Sequence, residues 1–231
     1  KDLATNHTSI YSRKIDEAYA INNIDCERIA IQNSNQRNAI WMFHRKVKID
    51  GINKSHRISV GYYLKEKDDG YVIDTTCDPR IFCFFPTSVK FHQKRVMHAP
   101  FLLTASRSEL LGDNEHNEFL IEELAKLSAD SLVCLRDIGL KNKQTLINDN
   151  LLDLVHIPDF YDAHPEFTPE YIRVIKGNNL LITKEGEYTS VANARIAQPI
   201  KLLDVVSDEQ LSMLLKSKTP MYFVLSSVTQ R

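Results

Sequence analysis

The chain has 231 residues, 43% of them hydrophobic and 26% charged, with a formal net charge of −1. That length and composition describe an ordinary globular protein of one large or two smaller domains, able to bury a core without staples. The charge balance argues against a broadly basic nucleic-acid or membrane-surface protein, and no apolar run is long enough to span a bilayer.

The first residues lack the apolar stretch of a secretory signal, so a cytoplasmic location is expected. With Lys1 in first place and "SSVTQR" at the end, the chain reads as a segment of a longer protein. The opening half reads as β-rich. "ERIAIQN" (27–33), "AIWMFHRKVKI" (39–49) and "RISVGYYLK" (57–65) carry β-branched and aromatic residues in partial alternation. "IDGINKSH" separates the last two as a loop. "EKDDG" signals a hairpin turn at Asp69-Gly70, after which "YVI" returns. "RIFCFFPT" (80–87) is short, aromatic and stopped by Pro86, which suits a central strand. "HAPFLLT" (98–104) is the next strand candidate.

A helix follows, with Asp113 or Asn114 as its N-cap. Glu115, Glu118, Glu122 and Glu123 crowd its early turns, near the positive end of the helix dipole. Phe119, Leu120, Leu124, Leu127, Ser131 and Leu135 form its apolar stripe, and Gly139 is its natural stop. "TLINDNLLDLVHI" reads as a helix ended by Pro158, and "DFYDAHPEFTPEY" as a Pro-punctuated connection. "LLITKEGEYTSVANARI" reads as two short strands around Glu185-Gly186. Ser207 with Gln210 forms a capping box before a short helix, and "MYFVLSS" closes as a strand. A domain boundary is placed at 140, giving domains 1–140 and 141–231.

No GxxxxGK[ST], GxGxxG, HExxH or nucleophile elbow is present, so neither a phosphate cradle nor a zinc-protease or serine-hydrolase signature is visible. Cys26, Cys77, Cys83 and Cys134 are scattered without a CxxC pair and read as reduced thiols. The charge pattern is more informative. From Pro79 to Ser108 there is no Asp or Glu, while Arg80, Lys90, Lys94, Arg95 and Arg107 occur there. From Glu109 to Asp130 the sign reverses, with seven acids and one lysine. "KFHQKR" reads as a solvated loop. Arg107 differs, because it follows the apolar run 99–103 and precedes the helix. An arginine so placed can present its planar fork of donors to an anion and stabilise charge on a transferring phosphoryl group.

At these residues the chain resembles a known family. "RIFCFFPT", "HAPFLLTASRSEL" and "LIEELAKLSADSL" are similar to the segment that follows the ATP-binding domain in sacsin-like proteins. Those belong with the ATPase superfamily of heat-shock protein 90, MutL-type repair proteins, gyrase and histidine kinases (the GHKL superfamily). In the chaperones an apolar strand leads into Leu-Ser-Arg-Glu and then a long helix, and the arginine reaches the γ-phosphate of ATP held by the preceding domain. In "TASRSEL", Ser106 takes the serine place and Arg107 the arginine place. Ser108 stands where the motif has glutamate, and Glu109 comes one residue late. The likeness is best over residues 80 to 135; "NNLLITKEGEYTSVANARI" resembles a second sacsin-like segment more faintly.

The resemblance implies a middle or transducer region. Its fold would be α+β, a ribosomal protein S5 domain 2-like mixed sheet with packed helices, followed by a smaller α/β C-terminal subdomain. ATP and Mg²⁺ would sit in the preceding domain of the parent protein, with no cofactor in this segment. The segment alone would not be an enzyme. Arg107 would contact the γ-phosphate, with Ser106, Lys94 and Arg95 beside the nucleotide. Partners would be the preceding ATP-binding domain, a client or partner protein, and a second copy in a homodimer. Two other readings stand beside this one. Lys90, Lys94, Arg95 and Phe91 could line a nucleic-acid groove, although the net charge weighs against it. Alternatively, Arg107 pairs with Glu109 or the acidic helix in a plain interaction scaffold.

Overall fold

The structure is a computed structural model that describes residues 12–21, 23–33, 36–49, 55–67, 70–76, 80–90, 94–148, 150–155 and 165–224. It is a mixed α+β chain that divides into two compact units, 1–127 and 128–231. This division and the expected boundary at 140 both fall within the one long helix, Glu115–Lys141.

In the first unit, β1 (Ser12–Ile21), β2 (Ile24–Asn33), β3 (Gln36–Lys48) and β4 (Ser55–Lys67) form an antiparallel meander. Strand β5 (Gly70–Ile73) folds back on the end of β4, pairing Lys67 with Gly70, as the Asp-Gly signal suggests; Asp69 itself lies outside the described residues. After β6 (Arg80–Cys83) and β7 (Phe85–Lys90), β8 (Val96–His98) inserts between β4 and β6. The sheet order is β1-β2-β3-β4-β8-β6-β7 with β5 also on β4, and only the β6–β8 pair is parallel.

Because side chains alternate across a sheet, one row of the register is buried and the next is polar. Cys26, Phe43, Val60, Met97 and Ile81 lie side by side across five strands and are all buried. Trp41, Phe43 and Tyr62 extend this face as an aromatic cluster, with Phe43 edge-on to Tyr62 at 5.8 Å. Each such ring contributes about 1.5–3 kcal/mol by leaving water. The adjacent row, Asp25, His44, Ser59, His98 and Phe82, faces the other side. There Ile29, Ile40 and Val96 form a smaller cluster with Met42, Tyr63 and Phe82. Gly61 belongs to that side for a steric reason: a Cβ there would stand 2.4 Å from the Met42 sulfur.

Two strand expectations are corrected. "RIFCFFPT" is not one central strand. The chain reverses at Phe84, whose φ is +61°, and Phe82 pairs with Pro86 in a tight β6–β7 hairpin with β7 at the sheet edge. Proline is tolerated there because an edge strand has no ladder bond to lose on its outer side. "HAPFLLT" leaves the ladder after His98; only Leu103 bridges onward, to Leu110. Strand β1 is an addition to the strands expected.

Helix α1 spans Glu115–Lys141, with Glu115 and Glu118 in its first turn. Asn114 caps it by accepting from the Asn117 N–H at 3.2 Å. Leu120, Leu124 and Leu127 of the expected stripe are buried. Gly139 does not end the helix. It is small because the returning chain crosses it: Gln144 donates to its carbonyl at 2.8 Å, and a Cβ would meet the Gln144 oxygen at 2.6 Å.

In the second unit, α2 is short (Leu151–Val155), and the end of the stretch expected as an irregular connection, 159–171, is the start of α3 (Phe167–Gly177), which buries Phe167, Tyr171 and Val174. Arg173 of α3 bonds Glu170 at 2.7 Å and Asp130 at 2.8 Å. Strands β9 (Leu181–Ile182) and β10 (Tyr188–Thr189) pair around Gly186, whose φ is +85°. Tyr188 donates to the Ile147 carbonyl at 2.5 Å, and burial pushes its pKa up to about 12. Strand β11 (Ala194–Arg195), α4 (Leu202–Val205), α5 (Asp208–Leu214) and β12 (Tyr222–Phe223) complete the unit, β11 and β12 pairing in parallel. Ser207 and Gln210 form the expected capping box.

Candidate functional site

Arg107 sits at the tip of a small hairpin. Leu111 N–H donates to the Leu102 carbonyl at 2.9 Å, Thr104 N–H to the Glu109 carbonyl at 3.0 Å, and Arg107 N–H back to the Thr104 carbonyl at 2.8 Å. The last bond closes a turn in which Arg107 has a φ of +58°. Left-handed backbone costs an L-residue about 1–2 kcal/mol and normally selects glycine or asparagine. The tip carries a chain of hydroxyls: Ser106 Oγ lies 3.0 Å from Thr104 Oγ1 and 2.7 Å from Ser108 Oγ. Ser106 and Arg107 are both exposed, and among the described residues the Arg107 guanidinium has no ion-pair or hydrogen-bond partner. The pairing with Glu109 or with the acids of α1 that a scaffold role implies is not formed there.

The hairpin is held from below by Asn117, a residue that sequence reasoning misses. Its side-chain oxygen accepts from Leu102 N–H at 2.9 Å, and its amide donates to the Leu102 carbonyl at 2.9 Å and the Leu111 carbonyl at 2.8 Å. Both arms of the hairpin are thereby fixed to the first turns of α1. His116 adds a contact to the Pro100 carbonyl at 3.0 Å. On the other side, Ser88 N–H of β7 donates to the Ser108 carbonyl at 2.8 Å. The tip is an exposed arginine on a pinned base.

Beside it lies a groove of about 850 Å³ whose walls include Cys83, Phe84, Phe85, Phe101, Leu102 and Arg107. Among the described residues no acid lines it. Phe84 and Phe85 are each 76% exposed, and Leu102 is 45% exposed. The Cys83 thiol donates to the Phe101 carbonyl at 3.2 Å, and burial raises its pKa, which makes it a poor nucleophile. Cys26, Cys83 and Cys134 are free thiols, as expected; Cys77 lies outside the described residues.

The other expected site residues are placed differently. Lys94 is half-buried and lies outside the groove walls. Arg95, expected in a solvated loop, is instead fully buried. Its Nη1 donates to the Tyr62 hydroxyl at 2.9 Å, and its guanidinium carbon stands 5.2 Å from the centre of the Tyr62 ring. Lys90 ends β7, and Phe91 lies outside the described residues.

A second polar cluster occupies the other face of the sheet. Ser59 Oγ is 2.7 Å from His44 Nδ1, His44 Nε2 is 3.5 Å from Glu27, and Arg57 is 3.3 Å from the same carboxylate. Register places His44 opposite Ser59, so the pair follows from strand alignment. Burial, then the Arg57 charge, lowers the His44 pKa to about 4, and the Glu27 carboxylate only partly offsets them. A neutral ring with hydrogen on Nε2 lets the Ser59 hydroxyl donate to Nδ1 while Nε2–H faces Glu27. The residue types are those of a hydrolase relay. However, Ser59 and His44 are each only 5% exposed, so the hydroxyl is closed to a substrate and the cluster works as an internal brace. Among the described residues no group of His, Cys, Asp and Glu could hold a metal ion.

Comparison with protein-family models, with curated proteins and with solved structures finds no match to this chain.

Proposed function

We propose that this chain is the middle, transducing region of a chaperone-type ATPase of the sacsin-like and heat-shock protein 90 kind, with Arg107 as the group that meets the γ-phosphate of ATP. The sheet and its helices would then correspond to a ribosomal protein S5 domain 2-like fold. ATP and Mg²⁺ would be bound by a preceding domain of the parent protein, and the chain would couple nucleotide state to a client or partner in the cytoplasm.

One observation carries this reading. An arginine occupies a left-handed position at an exposed tip, its guanidinium free of carboxylates among the described residues, on a base pinned by Asn117. Backbone strain of this kind persists where the side chain has work that glycine cannot do. The fixed base delivers the guanidinium to one place on the surface, and the arginine can favour a closed state only through contacts made in that state. Ser106, next to it, supplies a hydroxyl that can share the anion. Lys94 lies outside the groove walls and its charge acts on the Asp74 carboxyl, and the burial of Arg95 removes it from both the nucleotide reading and the nucleic-acid groove.

The test is ATP turnover of the parent protein carrying Arg107→Ala. A phosphate-contacting arginine of this type is worth about 10³-fold or more in rate. Turnover should fall by at least about tenfold, even if the contact is only partial. Unchanged turnover in a folded variant would remove the role.

A further inference from the structure

The groove beside Arg107 carries more than a phosphate contact requires. Phe84 reverses the chain at φ +61°, a place suited to glycine, yet it keeps a phenyl ring that is 76% exposed. That ring is held edge-on against His98 at 5.6 Å, so it has a fixed direction. Phe85 is equally exposed, and Leu102 also lines the groove. An aromatic residue that meets both water and unfavourable backbone violates two folding preferences at one position, and such a combination marks a function. Arg107, which lines the same groove, shares the left-handed backbone.

We propose that this groove docks a segment of a partner protein that carries apolar side chains and a carboxylate, with Phe84, Phe85 and Leu102 receiving the former and Arg107 the latter. Charge complementarity selects the occupant: among the described residues the walls hold one cation and no acid, so a single carboxylate is matched and an extra lysine has no counter-charge. A nucleic-acid strand fits worse, because it repeats a charge at each nucleotide and asks for a row of cations. Resting on the phosphate role proposed above, a further consequence follows: one guanidinium serves the partner's carboxylate or the nucleotide, in alternation.

The probe is a fluorescein-labelled peptide with one glutamate among leucines and phenylalanines, read by anisotropy against the purified chain, with the same peptide carrying lysine in place of that glutamate as control. Binding should weaken about tenfold in Phe85→Ser and in Arg107→Ala, with thermal melting unchanged, since both side chains are exposed. In Arg107→Glu the preference should invert toward the lysine peptide. Equal binding of both peptides by the native chain, indifference to Phe85→Ser, or self-association through this face in place of peptide binding would overturn the proposal. In the parent ATPase a non-hydrolysable ATP analogue should release the glutamate peptide. A peptide that binds through Arg107 but is not released leaves the docking groove intact and overturns the alternation, and with it the phosphate reading.

Discussion

Arg107 and Phe84 are the residues where local backbone preference and side-chain identity disagree most openly. Glycine at 107 would remove about 1–2 kcal/mol of left-handed strain but lose about 0.5–1 kcal/mol through the entropy of the unfolded chain. Arg107→Gly should therefore raise stability slightly, by about 0.5–1 kcal/mol, while it weakens peptide binding at the tip about tenfold, as Arg107→Ala does; thermal melting beside peptide anisotropy checks both. A drop in melting temperature would mean that the side chain is structural after all. Arg95 makes the opposite case. Tyr62→Phe removes the acceptor of a buried guanidinium bond and should cost about 1–3 kcal/mol in a urea titration, with no effect at the groove. The exposed arginine was legible because it follows an apolar run and opens a helical region. The buried one was not, since "KFHQKR" has the composition of a solvated loop and its partner Tyr62 arrives from a distant strand.

At the scale of elements, the base of the hairpin depends on one side chain. Asn117→Ala breaks three hydrogen bonds to both arms at a buried position and should cost about 2–4 kcal/mol. Hydrogen exchange should rise at Leu102 and Leu111 first. If exchange there stays slow, the hairpin is held by something other than α1. In the second unit, Ser207→Ala removes one half of a capping box and should cost about 1 kcal/mol. Elements set by local chemistry were readable: the β4–β5 hairpin, the turn at Gly186, the α5 cap and the apolar stripe of α1. Helix α3 was not, because its flanking prolines resemble a linker, although Pro169 lies in its first turn, where a missing N–H costs nothing. The β6–β7 reversal was hidden for a related reason, since a phenylalanine gives no turn signal. Strand β12 lies within the expected "MYFVLSS" strand, but its parallel pairing with β11 is encoded by no local pattern.

At the scale of the whole molecule, the mixed α+β class follows from strand-like alternation in the first half and helical spacing after Asp113. The order of the sheet does not, because β8 inserts between β4 and β6 through long-range register. That register also assembles Glu27, His44, Ser59 and Arg57, which gives the fold a pH dependence. The His44 pKa is about 4 in the folded chain against 6.5 as its ordinary value, so the unfolded chain binds the proton more readily between them. The stabilisation is complete above about 6.5 and is lost as pH falls toward 4, on the order of 3 kcal/mol. Urea midpoints at neutral and mildly acidic pH should show this loss, and His44→Gln should reduce it, leaving the part owed to His98, whose pKa burial also lowers; an equal slope in the variant would assign the effect to other groups. Hydrogen exchange over residues 103–110 tests the proposed phosphate contact of Arg107 most directly, in the longer ATPase proposed to contain this chain. Protection should appear with a non-hydrolysable ATP analogue, be absent with ADP, and vanish in Arg107→Ala. Equal exchange with both nucleotides, or protection that survives the substitution, would contradict it.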